Sequence, residues 1–312
     1  MNRLHPSLRP WLADFNRIAQ QKLDAGYKAT AIGAREALAE FTRQMLPTAP
    51  DIAWVNDDLV PGGDYAVPVR IYHPEPQQAL PVLLFLHGGG HMAGSVSVYD
   101  PISRRLAAAS RHIVVAVEYR LAPENPYPAG LNDAANAAKR IWEVLDARRL
   151  PYARRLALAG DSAGGALCAS LSGWAQSDAS LSIERQVLIY PCVDYTLTQP
   201  SVAQNGDGYF LTRSRAAWYF DQYFQHAEDR RQASPLYWGF SARLPPTLVI
   251  TAGLDPLRDE GRLYAERLSA AGVAVEQLQL DDQTHAFLNM EALVPEVCAL
   301  AYRRIADFLN AG

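Results

Sequence analysis

Residues 155–165 read Arg-Leu-Ala-Leu-Ala-Gly-Asp-Ser-Ala-Gly-Gly, and this stretch is the most informative part of the sequence about its architecture. Its apolar first half is typical of a buried strand, and residues 166–175 continue it with helical spacing. A Gly-x-Ser-x-Gly pattern between a strand and a helix indicates a tight turn that exposes the serine hydroxyl at the carboxyl end of the strand. Gly160 and Gly164 would remove side chains where the turn packs against its own sheet and helix. Ser162 is therefore the candidate nucleophile.

Two other interpretations of this turn remain open. Ser162 could be the N-cap of a helix on a glycine-rich turn, or the turn could be a phosphate-binding loop. The turn lacks the lysine of a Walker loop, which weighs against phosphate.

Seven further β-rich runs, bounded by Gly, Pro or Asp, indicate strands elsewhere in the chain. They cover residues 52–60, 67–73, 81–86, 112–119, 186–190, 247–252 and 273–280. Several are continuously apolar, as strands covered on both faces must be. Segments with helical spacing lie between them, at 101–110, 131–145, 259–271 and 295–309. This alternation predicts an α/β fold with a mostly parallel eight-stranded sheet flanked by helices.

Residues 1–50 and 191–246 do not fit the alternation. The first carries an apolar stripe at 3.6 spacing that needs a surface to cover; its members are Leu8, Trp11, Leu12, Phe15, Ile18, Ala19 and Leu23. The second is rich in aromatic residues and longer than the roughly 15 residues that a crossover needs. We expect both to be helical cap segments over a catalytic domain of residues 51–190 and 247–312, although each could instead be a helix that only covers the core. Phe210, Trp218 and Tyr219 are candidates for the substrate pocket, with the cap's own core as their alternative place.

Residues 87–90 read His-Gly-Gly-Gly and directly follow the predicted strand 81–86. Consecutive glycines allow close backbone approach and can turn N–H groups toward one point, which a developing oxyanion requires. We therefore predict an oxyanion hole made of the N–H groups of Gly88, Gly89 and Ala163. We interpret His87 as an organiser of this loop, with plain packing as the alternative.

A serine hydroxyl needs a general base, ordinarily an imidazole that a carboxylate orients. Asp255 follows the strand 247–252 and His285 follows the strand 273–280, so the chain order is serine, acid, base. That is the order expected of α/β-hydrolases. The other histidines do not follow a suitably late strand; they include His5, His112 and His226. Asp259, Asp281 and Asp282 are rival acids, although Asp259 is placed to begin the next helix, where a carboxylate favours the dipole.

Composition excludes several other classes of protein. The 29 basic and 33 acidic residues give a net charge of -4, with no Lys/Arg cluster that could follow a phosphate backbone, so nucleic acid is not an expected partner. No apolar run reaches the roughly 18 residues of a membrane span, and the first residues do not resemble an export signal. The three cysteines, Cys168, Cys192 and Cys298, form no close pair that suggests a zinc or redox motif. We expect a cytoplasmic protein without a metal or other cofactor.

These motifs resemble those of the hormone-sensitive-lipase-like (family IV) carboxylesterases of the α/β-hydrolase fold. The resemblance rests on five segments in family order over nearly the whole chain: 87–90, 119–124 (Tyr-Arg-Leu-Ala-Pro-Glu), 160–165, 255–259 and 285–287. It implies hydrolysis of short- to medium-chain acyl esters without a cofactor, beneath a helical cap. Two positions depart from the family pattern. His91 stands where an apolar aromatic is common, which makes it a candidate pocket residue of altered polarity, and Ala166 stands where Asn is frequent.

The expected reaction is attack by Ser162 on an ester carbonyl, so the expected partner is a small-molecule ester. A lipase, a thioesterase or an acyl peptidase is the nearest alternative on the same fold. A receptor that kept the pocket and lost the chemistry is another, as the gibberellin receptor of plants illustrates; that receptor lacks the base histidine, which is present here as His285. The oligomeric state is left open, with a homodimer as one candidate.

Overall fold

A computed structural model describes residues 4–311 of the chain. Its strands are Trp54–Val60 (β1), Val67–His73 (β2), Leu80–Leu86 (β3), Ile113–Val117 (β4), Tyr152–Asp161 (β5), Arg185–Ile189 (β6), Thr247–Leu254 (β7) and Val275–Thr284 (β8). Its α-helices are Leu8–Asp24 (α1), Ala31–Met45 (α2), Asp100–Ser110 (α3), Ala129–Ala147 (α4), Ala163–Ala175 (α5), Pro200–Asn205 (α6), Arg213–Tyr223 (α7), Arg230–Ala233 (α8), Arg258–Ala270 (α9) and Pro295–Asn310 (α10).

All eight strands form one sheet in the order β1-β2-β4-β3-β5-β6-β7-β8. The pairs β1–β2 and β2–β4 are antiparallel, and the five other pairs are parallel. The predicted mostly parallel, eight-stranded sheet is therefore confirmed. Because parallel strands end at the same edge, the residues that follow β3, β5, β7 and β8 share one edge of the sheet.

The sheet is buried on both faces by two apolar layers. Along β3, Val82, Leu84 and Leu86 face one layer, with residues of α4, α5 and α9. Leu83 and Phe85 face the other layer, with residues of α1, α3 and α10. The strict alternation follows from the two-residue period of a strand, and the burial of both faces explains why the strand has no polar side chain.

Strands β5 and β8 extend furthest beyond their predicted ends, and polar residues lie in both extensions. β5 begins at Tyr152 and includes the exposed Arg154, and β8 continues through the exposed Asp281 and the partly exposed Asp282 to Thr284. β8 is an edge strand with one neighbour, so its side chains can face water without breaking the pairing. An apolar run therefore locates a strand but does not give its two ends.

The two segments outside the alternation contain helices, as predicted for both, and they contact each other. Four aromatic rings join them: Trp11 and Phe15 of α1, Phe41 of α2, and Phe210, whose ring centroid lies 5.2–5.5 Å from those of the other three. The amide of Asn16 also donates to the carbonyl oxygen of Gly208 over 3.0 Å. The division into catalytic domain and cap segments stays a prediction.

The predicted apolar stripe of α1 is only partly covered. Leu8 and Leu12 are buried, whereas the side chains of Ile18 and Leu23 are 44% and 65% exposed. Every residue from 20 to 30 is exposed, so this end of α1 extends past the surface that its beginning covers. The expectation that the whole stripe is covered is therefore wrong for Ile18 and Leu23.

Within residues 4–311, no helix combines the length and the apolarity that crossing a lipid bilayer requires.

Candidate active site

Ser162 lies at the turn between β5 and α5, in a strained backbone conformation. Its φ and ψ are 52° and -117°, a region that residues with a side chain rarely adopt. A Cβ atom on Gly164 would lie 1.9 Å from the carbonyl oxygen of Leu86, and one on Gly160 would lie 2.4 Å from the backbone of Gly164. Only glycine fits at these two positions. The local sequence therefore folds into the predicted tight turn that presents the serine hydroxyl.

The structure brings Ser162, His285 and Asp255 into one hydrogen-bonded chain. The distance from Ser162 Oγ to His285 Nε2 is 2.9 Å, and that from His285 Nδ1 to Asp255 Oδ2 is 2.7 Å. His285 directly follows β8, and Asp255 directly follows β7. The Asp255 carboxylate is fully buried and also accepts the N–H of Leu257 over 2.8 Å. This geometry places an imidazole in contact with the Ser162 hydroxyl and a carboxylate in contact with the imidazole.

The rival acids take other places. The carboxylate of Asp259 accepts the N–H of Ser201 over 2.9 Å and stands in the first turn of α9, as the sequence suggested. Asp281 is exposed, and Asp282 is partly exposed. The contact with His285 Nδ1 belongs to Asp255.

The glycine loop lies against the serine turn, but Gly88 does not fit its predicted role. The Gly88 N–H donates to Asp161 Oδ1 over 2.7 Å in the interior, so it is not free to bind an oxyanion. The two following glycines have positive φ angles, 119° at Gly89 and 65° at Gly90. Within the described chain, the N–H groups of Gly89, Gly90 and Ala163 have no acceptor. Gly90 therefore replaces Gly88 as the candidate donor beside Gly89 and Ala163.

Asp161 directly precedes Ser162, and no sequence pattern indicated it. Its carboxyl group is buried, accepts the Gly88 N–H and accepts the hydroxyl of Tyr99 over 3.2 Å. Burial raises its pKa to about 7. The signal that could have found it is a carboxyl group at the end of an apolar strand, where burial without a partner would be costly.

His87 lies at the base of the glycine loop, among aromatic rings. Its ring stacks on that of Tyr119 with centroids 4.4 Å apart, and its Nδ1 lies 2.8 Å from the carbonyl oxygen of Gly88. The Tyr119 hydroxyl donates to the His87 carbonyl oxygen over 2.5 Å. Burial lowers the pKa of His87 to about 4, which keeps the ring neutral. These contacts fit the predicted role of loop organiser.

His91 lies in the interior, where it has almost no surface to offer a ligand. The residue is 2% exposed, its ring stacks on that of Tyr223 at a centroid distance of 3.8 Å, and its Nε2 lies 3.0 Å from the Tyr195 hydroxyl. Burial lowers the pKa of His91 to about 3. The predicted place on the wall of a pocket does not match these contacts.

The three aromatic pocket candidates occupy different places. Tyr219 lies over the glycine loop, because a Cβ atom on Gly90 would meet its ring carbon Cγ at 2.5 Å. Trp218 is partly exposed, with its ring centroid 5.3 Å from that of Tyr219. Phe210 belongs to the aromatic cluster that joins α1 and α2 to the inserted segment. Tyr219 is thus the candidate with a contact to the predicted machinery.

Two residues that the sequence did not indicate contact His285 and Asp255. The ring of Tyr190 stands edge-on to the imidazole of His285, with centroids 4.9 Å apart. The amide of Asn205, at the end of α6, donates to the carbonyl oxygens of Gly253 and Asp255 over 3.2 and 3.1 Å. Both contacts join residues far apart in the sequence, so no local pattern could reveal them.

A serine hydroxyl, an imidazole and a carboxylate, joined in this order at the carboxyl edge of a mostly parallel sheet, define the class of α/β-hydrolases. Residues 83–289 match the family model described as the alpha/beta hydrolase fold. The chain belongs to this family, among the hormone-sensitive-lipase-like carboxylesterases, and is a carboxylic ester hydrolase.

Two known relatives and a solved structure are similar to this chain over most of its length. It is 35% identical over 304 residues to an ethyl acetate hydrolase of Pseudomonas putida, which covers 93% of this chain and 95% of the relative. It is 37% identical over 253 residues to the carboxylesterase NlhH of Mycobacterium tuberculosis, with 78% of each chain covered. The solved structure of a hyperthermophilic esterase from the archaeon Pyrobaculum calidifontis superimposes with a TM-score of 0.85 at 35% identity, over 98% of both chains.

Proposed function

We propose that the protein hydrolyses short- to medium-chain acyl esters through an acyl-enzyme on Ser162. The observation that carries this proposal is the chain of hydrogen bonds from Ser162 Oγ through His285 to Asp255. In the first half-reaction, His285 Nε2 takes the hydroxyl proton while Ser162 Oγ attacks the ester carbonyl. Asp255 holds the ring through Nδ1–H and stabilises the imidazolium that forms.

The developing oxyanion needs donors that the folded chain leaves free. Among residues 4–311, the N–H groups of Gly89, Gly90 and Ala163 meet this condition, and the Gly88 N–H, bound to Asp161, does not. Preorganised donors of this kind contribute roughly 10²- to 10³-fold each to kcat. In this scheme Gly88 anchors the loop and the next two glycines face the reacting carbonyl.

The second half-reaction returns the enzyme to its starting state. His285 gives its proton to the alkoxide, which leaves as the alcohol, and the acyl group stays on Ser162. Water then loses a proton to His285 Nε2 and attacks the acyl carbonyl, and the proton returns to Ser162 Oγ as the carboxylic acid leaves. The cycle consumes one water per ester and needs no cofactor.

Two observations support small esters as the substrates. A relative that aligns over nearly its whole length is named an ethyl acetate hydrolase. Tyr219 rests on Gly90, so a bulky ring stands next to the loop that would receive the carbonyl. We propose that residues 1–50 and 191–246 act together as the cap that limits acyl length, since the Phe210 cluster joins them.

The decisive experiment compares the wild-type protein with Ser162→Ala on p-nitrophenyl acetate. We expect the variant to lose several orders of magnitude of kcat/KM while its unfolding temperature stays close to that of the wild type. Ser170→Ala is a matched control, because Ser170 is a buried serine on α5, the helix that follows Ser162, without a role in the proposed reaction. Activity of Ser162→Ala similar to that of the wild type would exclude the acyl-enzyme on Ser162.

A series of p-nitrophenyl esters from acetate to palmitate distinguishes an esterase from a lipase. We expect the highest kcat/KM on the short and medium chains and no activation at an oil interface. A maximum on the longest chains would overturn the small-ester proposal. Labelling by a fluorophosphonate addresses the receptor alternative, since an adduct on Ser162 of the folded protein requires an activated hydroxyl.

A further inference from the structure

The glycine loop ends in a residue whose backbone conformation is unusual for its type. Gly89, Gly90 and His91 have successive positive φ angles of 119°, 65° and 60°. Glycine adopts such angles without strain, whereas a histidine is strained there by its Cβ atom. A strained residue next to reacting groups persists only where its surroundings hold it in place.

Three contacts hold His91. Its ring lies parallel to that of Tyr223, at an interplanar angle of 7° and a centroid distance of 3.8 Å. Its Nε2 lies 3.0 Å from the Tyr195 hydroxyl, and its carbonyl oxygen accepts the N–H of Ala122 over 2.9 Å. Since burial keeps the imidazole neutral, the Tyr195 hydroxyl is able to donate to Nε2.

The two aromatic partners of His91 lie at two places in the inserted segment 191–246. Tyr223 is the last residue of α7, and Tyr195 follows β6. Both are buried, at 2% and 3% exposure, so the stack and the hydrogen bond are shielded from water. The loop that carries Gly89 and Gly90 is thereby joined to the inserted segment through one side chain.

We propose that His91 is a positioning residue for ester hydrolysis: its stack on Tyr223 and its hydrogen bond to Tyr195 fix the direction of the Gly89 and Gly90 N–H groups. This inference rests on the proposed function, in which those two groups bind the oxyanion. His91 touches no reacting atom. It acts through the backbone of the glycine loop, which ends at His91. Donors that are slightly misplaced lose much of their effect on the rate.

The proposal predicts which kinetic constant changes. The oxyanion exists in the transition state and not in the bound ester, so a displaced donor lowers kcat and leaves KM almost unchanged. A residue that lined the substrate pocket would change KM and the order of preferred esters. A residue with a purely structural role would lower the unfolding temperature without changing kcat of the folded protein.

The experiment uses Tyr195→Phe, which removes one hydroxyl and keeps the ring, and His91→Phe, which keeps an aromatic stack and removes the acceptor. Tyr237→Phe is the matched control, because that hydroxyl donates to Asp194 over 2.8 Å in the same part of the inserted segment. We expect kcat on p-nitrophenyl acetate to fall about 10-fold in each of the first two variants, with KM within about 2-fold of the wild type. The double variant should be no slower than either single variant, because both remove the same hydrogen bond.

The outcomes separate this inference from the proposed function. Equal kcat values for Tyr195→Phe, His91→Phe and Tyr237→Phe, or a change confined to KM, would overturn the positioning role. Wild-type protein without esterase activity, or active Ser162→Ala, would instead overturn the proposed function. Unfolding temperatures measured in parallel identify any loss of folded protein, and kcat is then referred to the folded fraction.

Discussion

Asp255 and Asp259 differ by four positions, and the sequence left both as candidates for the acid. The structure gives Asp255 the contact with His285 and gives Asp259 a hydrogen bond from the Ser201 N–H. In Asp255→Asn the amide no longer stabilises the imidazolium, so we expect kcat to fall by about 10⁴-fold. Asp259→Asn, the matched control, should keep kcat within a few-fold of the wild type. Steady-state kinetics on p-nitrophenyl acetate tests both, and equal losses would contradict the assignment.

The buried carboxyl of Asp161 makes stability depend on pH. Its pKa in the folded protein is about 7 because of burial, whereas an unfolded aspartate has a pKa of ~3.9. Between these values the folded state binds a proton that the unfolded chain has released, so the contribution of this group to stability falls as the pH rises from about 4 to about 7.

The variant Asp161→Asn should lack this dependence. The quantity to compare is the free energy of unfolding of the variant minus that of the wild type. We expect this difference to increase by a few kcal/mol in total between about pH 4 and about pH 7, and to stay constant at higher pH. Calorimetric melts at several pH values measure it. Asp207→Asn, at an exposed position, is the control, and a wild-type-to-variant difference that does not change with pH would refute the prediction.

At the scale of elements, the contact between the β5–α5 turn and the end of β3 permits no side chain. A Cβ atom on Gly164 would lie 1.9 Å from the Leu86 carbonyl oxygen, and backbone atoms cannot give way as a flexible side chain can. We expect Gly164→Ala to cost about 3 kcal/mol or more of unfolding free energy. Gly63→Ala is the control, since nothing lies within 4 Å of its Cβ position. Denaturant titrations compare the two, and similar midpoints would contradict the close packing of the turn.

Helix α2 is attached to the body of the protein by Arg35. Its Nε donates to the Met92 carbonyl oxygen and its Nη2 to that of Ala122, each over 2.9 Å, and its Nη1 lies 3.0 Å from Glu124 Oε1. The ion pair is largely exposed and contributes little. The two bonds to carbonyl oxygens carry most of the effect, because a charged donor serves acceptors that would otherwise be left without one.

We expect Arg35→Ala to lower the unfolding free energy by about 2 kcal/mol and to speed hydrogen exchange in α2. Arg43→Ala removes an exposed pair with Glu40 on the same helix and should have no measurable effect on either quantity. Exchange measured by mass spectrometry resolves α2 from the rest of the chain. Equal protection of α2 in the two variants would show that Arg35 does not hold the helix.

At the scale of the whole molecule, the sequence predicts the structural features that depend on residues close together in the chain. The eight strands could be predicted because each contains a short β-rich run bounded by Gly, Pro or Asp, and Ser162, Asp255 and His285 could be predicted to lie close together because each follows a strand of the same sheet edge. The partner of the Gly88 N–H lies 73 positions away at Asp161, and the Tyr195 partner of His91 lies 104 positions away. Such contacts depend on how the whole chain folds. Likewise, the helical spacing of apolar residues in α1 shows which face of the helix is apolar. It does not show that the surface burying this face ends before Ile18.

The turn that carries Ser162 and the N-terminal helices are not held equally firmly. β5 lies within the sheet with a paired strand on each side, whereas α1 and α2 are held by Arg35, one ring cluster, a few buried leucines and single hydrogen bonds at Asn16 and Met45. Mild heating should therefore loosen the proposed cap well before it disturbs the turn at Ser162. There would then be a temperature range in which the enzyme still hydrolyses esters but discriminates less between them. On warming, we therefore expect selectivity to be lost before activity.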